Sequence, residues 1–334
     1  MYRNDNLKQA RQAKQDEYYT QYDCVADEMG CYGNYFTGKK IYLNCDDDSS
    51  EIYHYFSNNF NALGLSSLTA TCYNRAGHGC KYQYIDGATV KSELQGTGDY
   101  SSPECMRELS ACDIVVTNPP FSLWREYINT IAKSQRDFII LGTLNAISYR
   151  DVWPMFMNQT LRLGYGKQNK ARLFRVPDST RLQQVPCVWF TNIFIDAPCY
   201  NQFVFTDSSP KYSDTKYSKY VNFDALNIDS VKDIPCDYYE TMGVPVTYMC
   251  SHNPTLFEIV GGNQFNIDDL TPYSLYYYDE HNQVKHVDKM GHTLFVKKPD
   301  KESGRKKKVY WDESGDQYIA TYARIFIRRR DRAI

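Results

Sequence analysis

The sequence predicts an α/β protein: a mainly parallel sheet with helices on its faces, followed by a β-rich carboxy-terminal region. Three observations carry this. Short runs rich in β-branched and aromatic residues recur through the first two-thirds of the chain, each brief enough for a buried strand. Segments with helical spacing alternate with them, and a strand–helix–strand rhythm implies parallel pairing. After about Ile234 the texture changes to short runs separated by Pro, Gly and Asn.

In chain order, strands are predicted at Lys40–Cys45, Leu68–Tyr73, Asp113–Thr117, Phe138–Thr143 and Cys187–Ile195. Helices are predicted over Glu51–Leu63 and Ser122–Lys133. In the second, Leu123/Trp124, Tyr127/Ile128 and Ile131/Ala132 form one apolar stripe. Beyond Ile234, Val244–Met249, Leu256–Val260, Ser274–Tyr278 and His292–Val296 read as β-prone runs. Lys308–Trp311 and Gln317–Arg328 flank a turn at Asp312–Asp316, the pattern of a hairpin. The expected division is residues 1–234 and 235–334. Ligands of such sheets bind beyond the carboxyl ends of the strands.

Composition excludes several classes. The 334 residues are 42% hydrophobic without a long apolar run, and the first twenty are polar and charged, so the expectation is a soluble cytoplasmic protein with no signal peptide and no membrane span. Eleven cysteines, an odd number lacking any Cys-x-x-Cys pair, read as scattered reduced thiols. His281, His286 and His292 have no ligand spacing, so no metal is expected. Tyrosine is abundant, at 30 residues, which compositional bias alone can explain. Net charge is only −2, but from Lys297 to Ile334 twelve Lys/Arg oppose six Asp/Glu, a local +6 that leaves −8 on the rest. An acidic body with a basic end suits a polyanion-binding face. Its clusters are Arg305, Lys306, Lys307 and Lys308, and then Arg328, Arg329 and Arg330; solvated charge runs are the plain alternative.

The most specific feature is Asp113-Ile-Val-Val-Thr-Asn118-Pro119-Pro120-Phe121, an apolar strand ending in a rigid polar turn. Adenine's exocyclic nitrogen is a poor nucleophile because its lone pair is delocalised into the ring. Two acceptors aimed at its N–H bonds, the Asn118 side-chain oxygen and the Pro119 carbonyl, favour a more tetrahedral nitrogen. The prolines fix φ and add no competing N–H, and Phe121 can stack on the flat base. Such catalysis is positioning and electrostatic preorganisation. The turn does not distinguish adenine from every other planar amine or amide, so methylation of RNA or of a protein glutamine stays open. So does a non-catalytic DNA-binding or anti-restriction protein with a vestigial site.

The chain resembles the EcoRI-type adenine-specific DNA methyltransferases through nearly its whole length. The matching stretches include Lys14–Gln21, Asn44–Asp47, Leu63–Leu65 leading to Ala70–Tyr73, Gly98–Tyr100, Asp113–Tyr127 and Trp189–Asn192. Asp233–Pro235, Met242–Pro245, Phe257–Gly261 and Tyr322–Arg328 continue the likeness. The resemblance implies a Rossmann-like, S-adenosylmethionine-dependent methyltransferase fold with a carboxy-terminal target-recognition region. It implies double-stranded DNA as partner, an extruded adenine as substrate and no metal. A cognate restriction endonuclease and a monomeric state are compatible with it. It assigns Tyr19, Thr20 and Gln21 to the methionine part of the cofactor. Asn44, Cys45, Asp46 and Asp47 replace the Gly-rich turn common among methyltransferases, with a carboxylate for the cofactor's ammonium group. Tyr73 falls at the ribose position and Asp99 at the adenine position.

Overall fold

The computed structural model describes residues 20–166, 172–175, 182–185, 187–195, 202–262, 273–287, 293–299 and 308–330. Its contacts divide the chain into two compact units, one of residues 1–146 and 154–200, the other of 147–153 and 201–334.

The first unit is built on a mixed sheet. Its strands are β1 (Lys40–Leu43), β2 (Ser67–Cys72), β3 (Cys80–Ile85), β4 (Ala88–Glu93), β5 (Ile114–Thr117), β6 (Asp137–Thr143), β7 (Arg162–Leu163) and β10 (Cys187–Thr191). Among the described residues their order is β4-β3-β2-β1-β5-β6-β10-β7. The four central strands, β2, β1, β5 and β6, run parallel. A separate hairpin pairs β8 (Arg172–Arg175) with β9 (Leu182–Val185).

Each predicted strand of this unit is present, but the sheet is less parallel than its rhythm implied. β3 and β4 extend one edge antiparallel, and β10 returns antiparallel to β6, ending at Thr191 instead of Ile195. The β3–β4 turn is Asp86-Gly87, with φ of 50° and 83°, the two left-handed positions a tight hairpin needs.

Among the described residues, the unit's longer helices are α1 (Tyr22–Met29), α2 (Glu51–Asn58), α3 (Pro103–Ala111) and α4 (Trp124–Lys133). α2 and α3 start where serine side chains accept from the third residue on, Ser50 from Tyr53 N–H and Ser102 from Cys105 N–H. α4 buries the expected stripe of Trp124, Tyr127, Ile128 and Ile131. Its Trp124 indole donates to the Leu141 carbonyl at 2.8 Å, lying so close to β6 that a Cβ on Gly142 would sit 2.4 Å from Nε1.

In the second unit the described elements are strands and short 3-10 turns. One sheet runs β11 (Ser218–Lys219), β12 (Leu226–Asn227), β13 (Met242–Pro245), β20 (Arg324–Arg329), β14 (Phe257–Gly262). The other runs β16 (Val284–Val287), β15 (Leu275–Tyr278), β18 (Val309–Trp311), β19 (Gln317–Ala320), β17 (Phe295–Lys297). Tyr220, Ala225, Leu294, Val296, Ile319 and Phe326 form a shared apolar cluster.

Two expectations are corrected here. Val244–Met249 is the end of β13 followed by a 3-10 turn at Val246–Ser251, because Pro245 has no N–H to continue a ladder. Gln317–Arg328 is not one strand: it breaks at 321–323, so β19 closes the hairpin with β18 while β20 joins the other sheet.

Candidate functional site

β1 pairs with β2 on one side and β5 with β6 on the other, so the connections leaving β1 and β5 diverge, the arrangement that opens a ligand crevice at the carboxyl ends of such strands. Residues 44–47 leave β1 there, and residues 118–121 leave β5.

The two exits are tied together by Asp46. Its buried carboxylate accepts from the Thr117 hydroxyl at 2.6 Å, and the Asn118 backbone N–H and the Ser50 side chain also hydrogen-bond to it. Burial pushes the Asp46 carboxyl up to about 6, against the pull of those donors. Asp47 does something different: it closes its own turn, accepting from Ser49 N–H at 2.9 Å and Ser49 Oγ at 2.6 Å. Between these exits, burial and neighbouring Asp46 hold the Cys45 thiol protonated.

Asn118 is oriented from the other side. Its Nδ2 donates to Thr20 Oγ1 at 3.1 Å, which turns the amide oxygen away from Thr20. Thr20 is buried immediately before α1, and α1 is anchored by Glu28. That fully buried carboxylate accepts from Tyr32 Oη at 2.9 Å and from Tyr165 and Gly166 N–H at 2.8 Å each. A side chain at Gly164 would displace it, since a Cβ there would lie 2.1 Å from Glu28 Oε1. Beyond Asn118, Pro119 is buried, Phe121 packs on the apolar core, and the Pro120 carbonyl accepts from Leu123 N–H as the chain turns into α4.

Asn44 is buried, and its Oδ1 accepts a short hydrogen bond from the Tyr127 hydroxyl on α4. Its Nδ2 is also buried and finds no acceptor among the described residues. The Tyr100 ring meets Tyr127 edge-on, with centroids 5.1 Å apart. Tyr100 arrives on a loop that requires glycine: Gly98 has φ +78°, and a Cβ there would lie 2.3 Å from the Cys72 carbonyl. Asp99 on this loop accepts from Ser101 N–H and Oγ, and its charge helps keep the Cys45 thiol protonated.

Thr20, Asn44, Cys45, Asp46, Asn118 and Asp99 therefore gather around one crevice. Gln21 caps α1 half-buried, and Tyr73 leaves β2 with its ring exposed. Tyr19 and Arg305–Lys307 lie outside the described residues. Sequence reasoning missed Thr117, Tyr100 and Tyr127 as site residues. A hydroxyl closing an otherwise apolar strand was a signal for the first, but Tyr127 read as part of the core stripe.

On the second unit, the Lys308 ammonium lies over the Tyr277 ring, 3.0 Å from its centroid. Arg328 pairs with Glu258 at 3.7 Å, and Arg329 stacks on Phe205 and Tyr239. Arg330 is exposed, and its N–H bonds the Leu256 carbonyl. Among the described residues no three His, Cys, Asp or Glu groups gather as metal ligands, and no described helix is long and apolar enough to cross a membrane.

A family model described as adenine-specific methyltransferase EcoRI matches residues 6–89 and 81–330. The chain is 35% identical over 297 residues to the Type II methyltransferase M.EcoRI of Escherichia coli, covering 77% of this chain and 89% of that one. It is 32% identical over 303 residues to the Type II methyltransferase M.MpnI of Mycoplasma pneumoniae, covering 84% and 93% respectively. A third relative, the Type II methyltransferase M.MgeORF184P of Mycoplasma genitalium, is 33% identical over 273 residues, 76% of this chain and 85% of that one. No solved structure matches the chain.

Proposed function

The chain belongs to the EcoRI adenine-specific methyltransferase family, and from that premise we propose that it is a site-specific DNA methyltransferase that uses S-adenosylmethionine to methylate the exocyclic amine of adenine. The observation that carries the reading is the clasp at the crevice: Asp46 holds Thr117 and Asn118 against the end of β1, while Thr20 orients the Asn118 amide.

The residues at the β1 exit fit the cofactor. Asn44 Nδ2 is a buried donor suited to an oxygen or nitrogen acceptor, and Asp46 and Asp47 supply negative charge for an ammonium group. Asn44, Asp46, Asp99 and the Thr20–Gln21 segment would hold it. When bound, S-adenosylmethionine supplies an electrophilic methyl group. Asn118 and the Pro119 carbonyl accept the two N–H bonds of an extruded adenine, and Phe121 stacks on its ring. Fixed dipoles then favour the nitrogen lone pair in the direction of transfer.

In this reading the first unit is a Rossmann-like catalytic core, supported by its parallel β2-β1-β5-β6 centre and its switch point. Catalysis belongs to the first unit and target recognition to the β-rich second unit, which takes in β11 and β12 together with residues 235–334, with Lys308, Arg328, Arg329 and Arg330 beside double-stranded DNA. The Type II designation of the relatives supports a restriction–modification setting, with an endonuclease of the same site as counterpart. Sequencing of methylated adenines in DNA from cells expressing the chain tests reaction, substrate and site together. Methyl groups found only on RNA or protein would overturn it.

A further inference from the structure

We propose that Tyr127 is a positioning residue for cofactor binding, fixing the Asn44 amide so that its N–H edge, and not its oxygen, faces the ligand. The inference rests on the cofactor reading above. A primary amide is nearly symmetric in shape, so packing alone barely distinguishes its two orientations; the hydrogen-bond partners decide. Tyr127 is fully buried, and its hydroxyl proton is given to Asn44 Oδ1. Burial raises the Tyr127 pKa well above its ordinary value of 10.0, so the phenol stays protonated and remains a donor. Turning the amide over would leave that buried proton facing an NH2 group, a costly arrangement.

The consequence is chemical. With Oδ1 committed to α4, the remaining edge of Asn44 carries Nδ2, the buried donor with no acceptor among the described residues. A ligand acceptor, such as a carboxylate or hydroxyl oxygen or a ring nitrogen, completes it. Tyr127 belongs to the helix that directly follows the Asn118–Phe121 turn, and Tyr100 braces its ring from the Gly98–Tyr100 loop. One side chain thus links the exit of β1, the loop after β4 and the helix behind the catalytic turn.

The test is Tyr127→Phe in the full chain, with S-adenosylmethionine and S-adenosylhomocysteine binding measured by calorimetry beside steady-state kinetics. Loss of the orienting donor should raise Kd and KM for the cofactor roughly tenfold while kcat at saturation stays within about twofold. In an Asn44→Ala background the same substitution should change Kd less than about twofold, because the group it orients is gone. Equal effects in both backgrounds, or unchanged affinity, would overturn the role and show only packing. Asn44→Asp guards against a Tyr127→Phe chain that does not fold. The new carboxyl still accepts from Tyr127 but offers the ligand an acceptor, so affinity should fall at least tenfold in a chain whose unfolding transition shows that it is folded; wild-type affinity there also overturns the role. A wild-type chain that binds neither compound would remove the cofactor reading itself.

Discussion

Asp46 and Asp47 are neighbours in the chain and differ in most of their chemistry. Nothing in the run Asp46-Asp-Asp48 says which carboxylate turns inward, because that depends on where β5 ends, some seventy residues later. Asn118 stands out in the sequence as a candidate because the strand, prolines and aromatic ring of its turn are its immediate neighbours. Asn118→Ala should lower the methylation rate at least about a hundredfold, roughly 2.7 kcal/mol of transition-state stabilisation, with much less effect on cofactor affinity. Single-turnover kinetics measure this, and a near-normal rate would remove Asn118 from the mechanism. Asp46 makes a prediction in pH. Its folded pKa of about 6 lies above the ordinary 3.8. Its contribution to the stability of the unliganded chain is therefore present below about 3.8 and lost as pH rises through about 6. A cationic ligand prefers the ionised carboxylate, so S-adenosylmethionine affinity should rise with pH towards about 6 and level off above it. In Asp46→Asn the step near pH 6 should vanish from calorimetric titrations, and its survival would assign it to another group.

At the level of elements, the buried strands were readable because both faces are apolar, whereas β4 was not, because all six of its residues are exposed. Its signal lay in Asp86-Gly87, a two-residue turn between β-prone segments. The split at 321–323 was invisible for another reason. β19 and β20 are both β-prone runs joined by three residues without Gly or Pro, and their different partners, β18 and β13, separate them. The pairing of α4 with β6 supplies a stability test. Gly142→Ala forces its methyl against the rigid Trp124 indole and should cost about 1–3 kcal/mol, read from denaturant unfolding. Wild-type stability would mean that the ring can shift without losing its bond to Leu141.

Across the whole molecule, charge is divided between an acidic body and a basic end, and in the proposed reading the basic end grips DNA. Neutralising Arg305–Lys308 together should weaken binding to every DNA sequence by similar factors and flatten the salt dependence, by about 0.9 in log–log slope for each phosphate no longer neutralised. Preference among target sequences should survive. Because Lys308 is drawn onto the Tyr277 ring, its share should be the smallest of the four. An unchanged salt slope, measured by fluorescence anisotropy, would mark the run as a solvated surface. The position of β20 has a consequence for the order of synthesis. Met242 on β13 and Phe257 on β14 both pair with β20, at Ile327 and Arg329. A growing polypeptide therefore exposes both flanking strands before the one that joins them has been translated. Until then, two open edges wait beside apolar Val244 and Phe257, available to other nascent chains. Ribosomes stalled upstream of Arg324 should hold this part protease-sensitive, and it should become resistant only once Arg329 has cleared the exit tunnel.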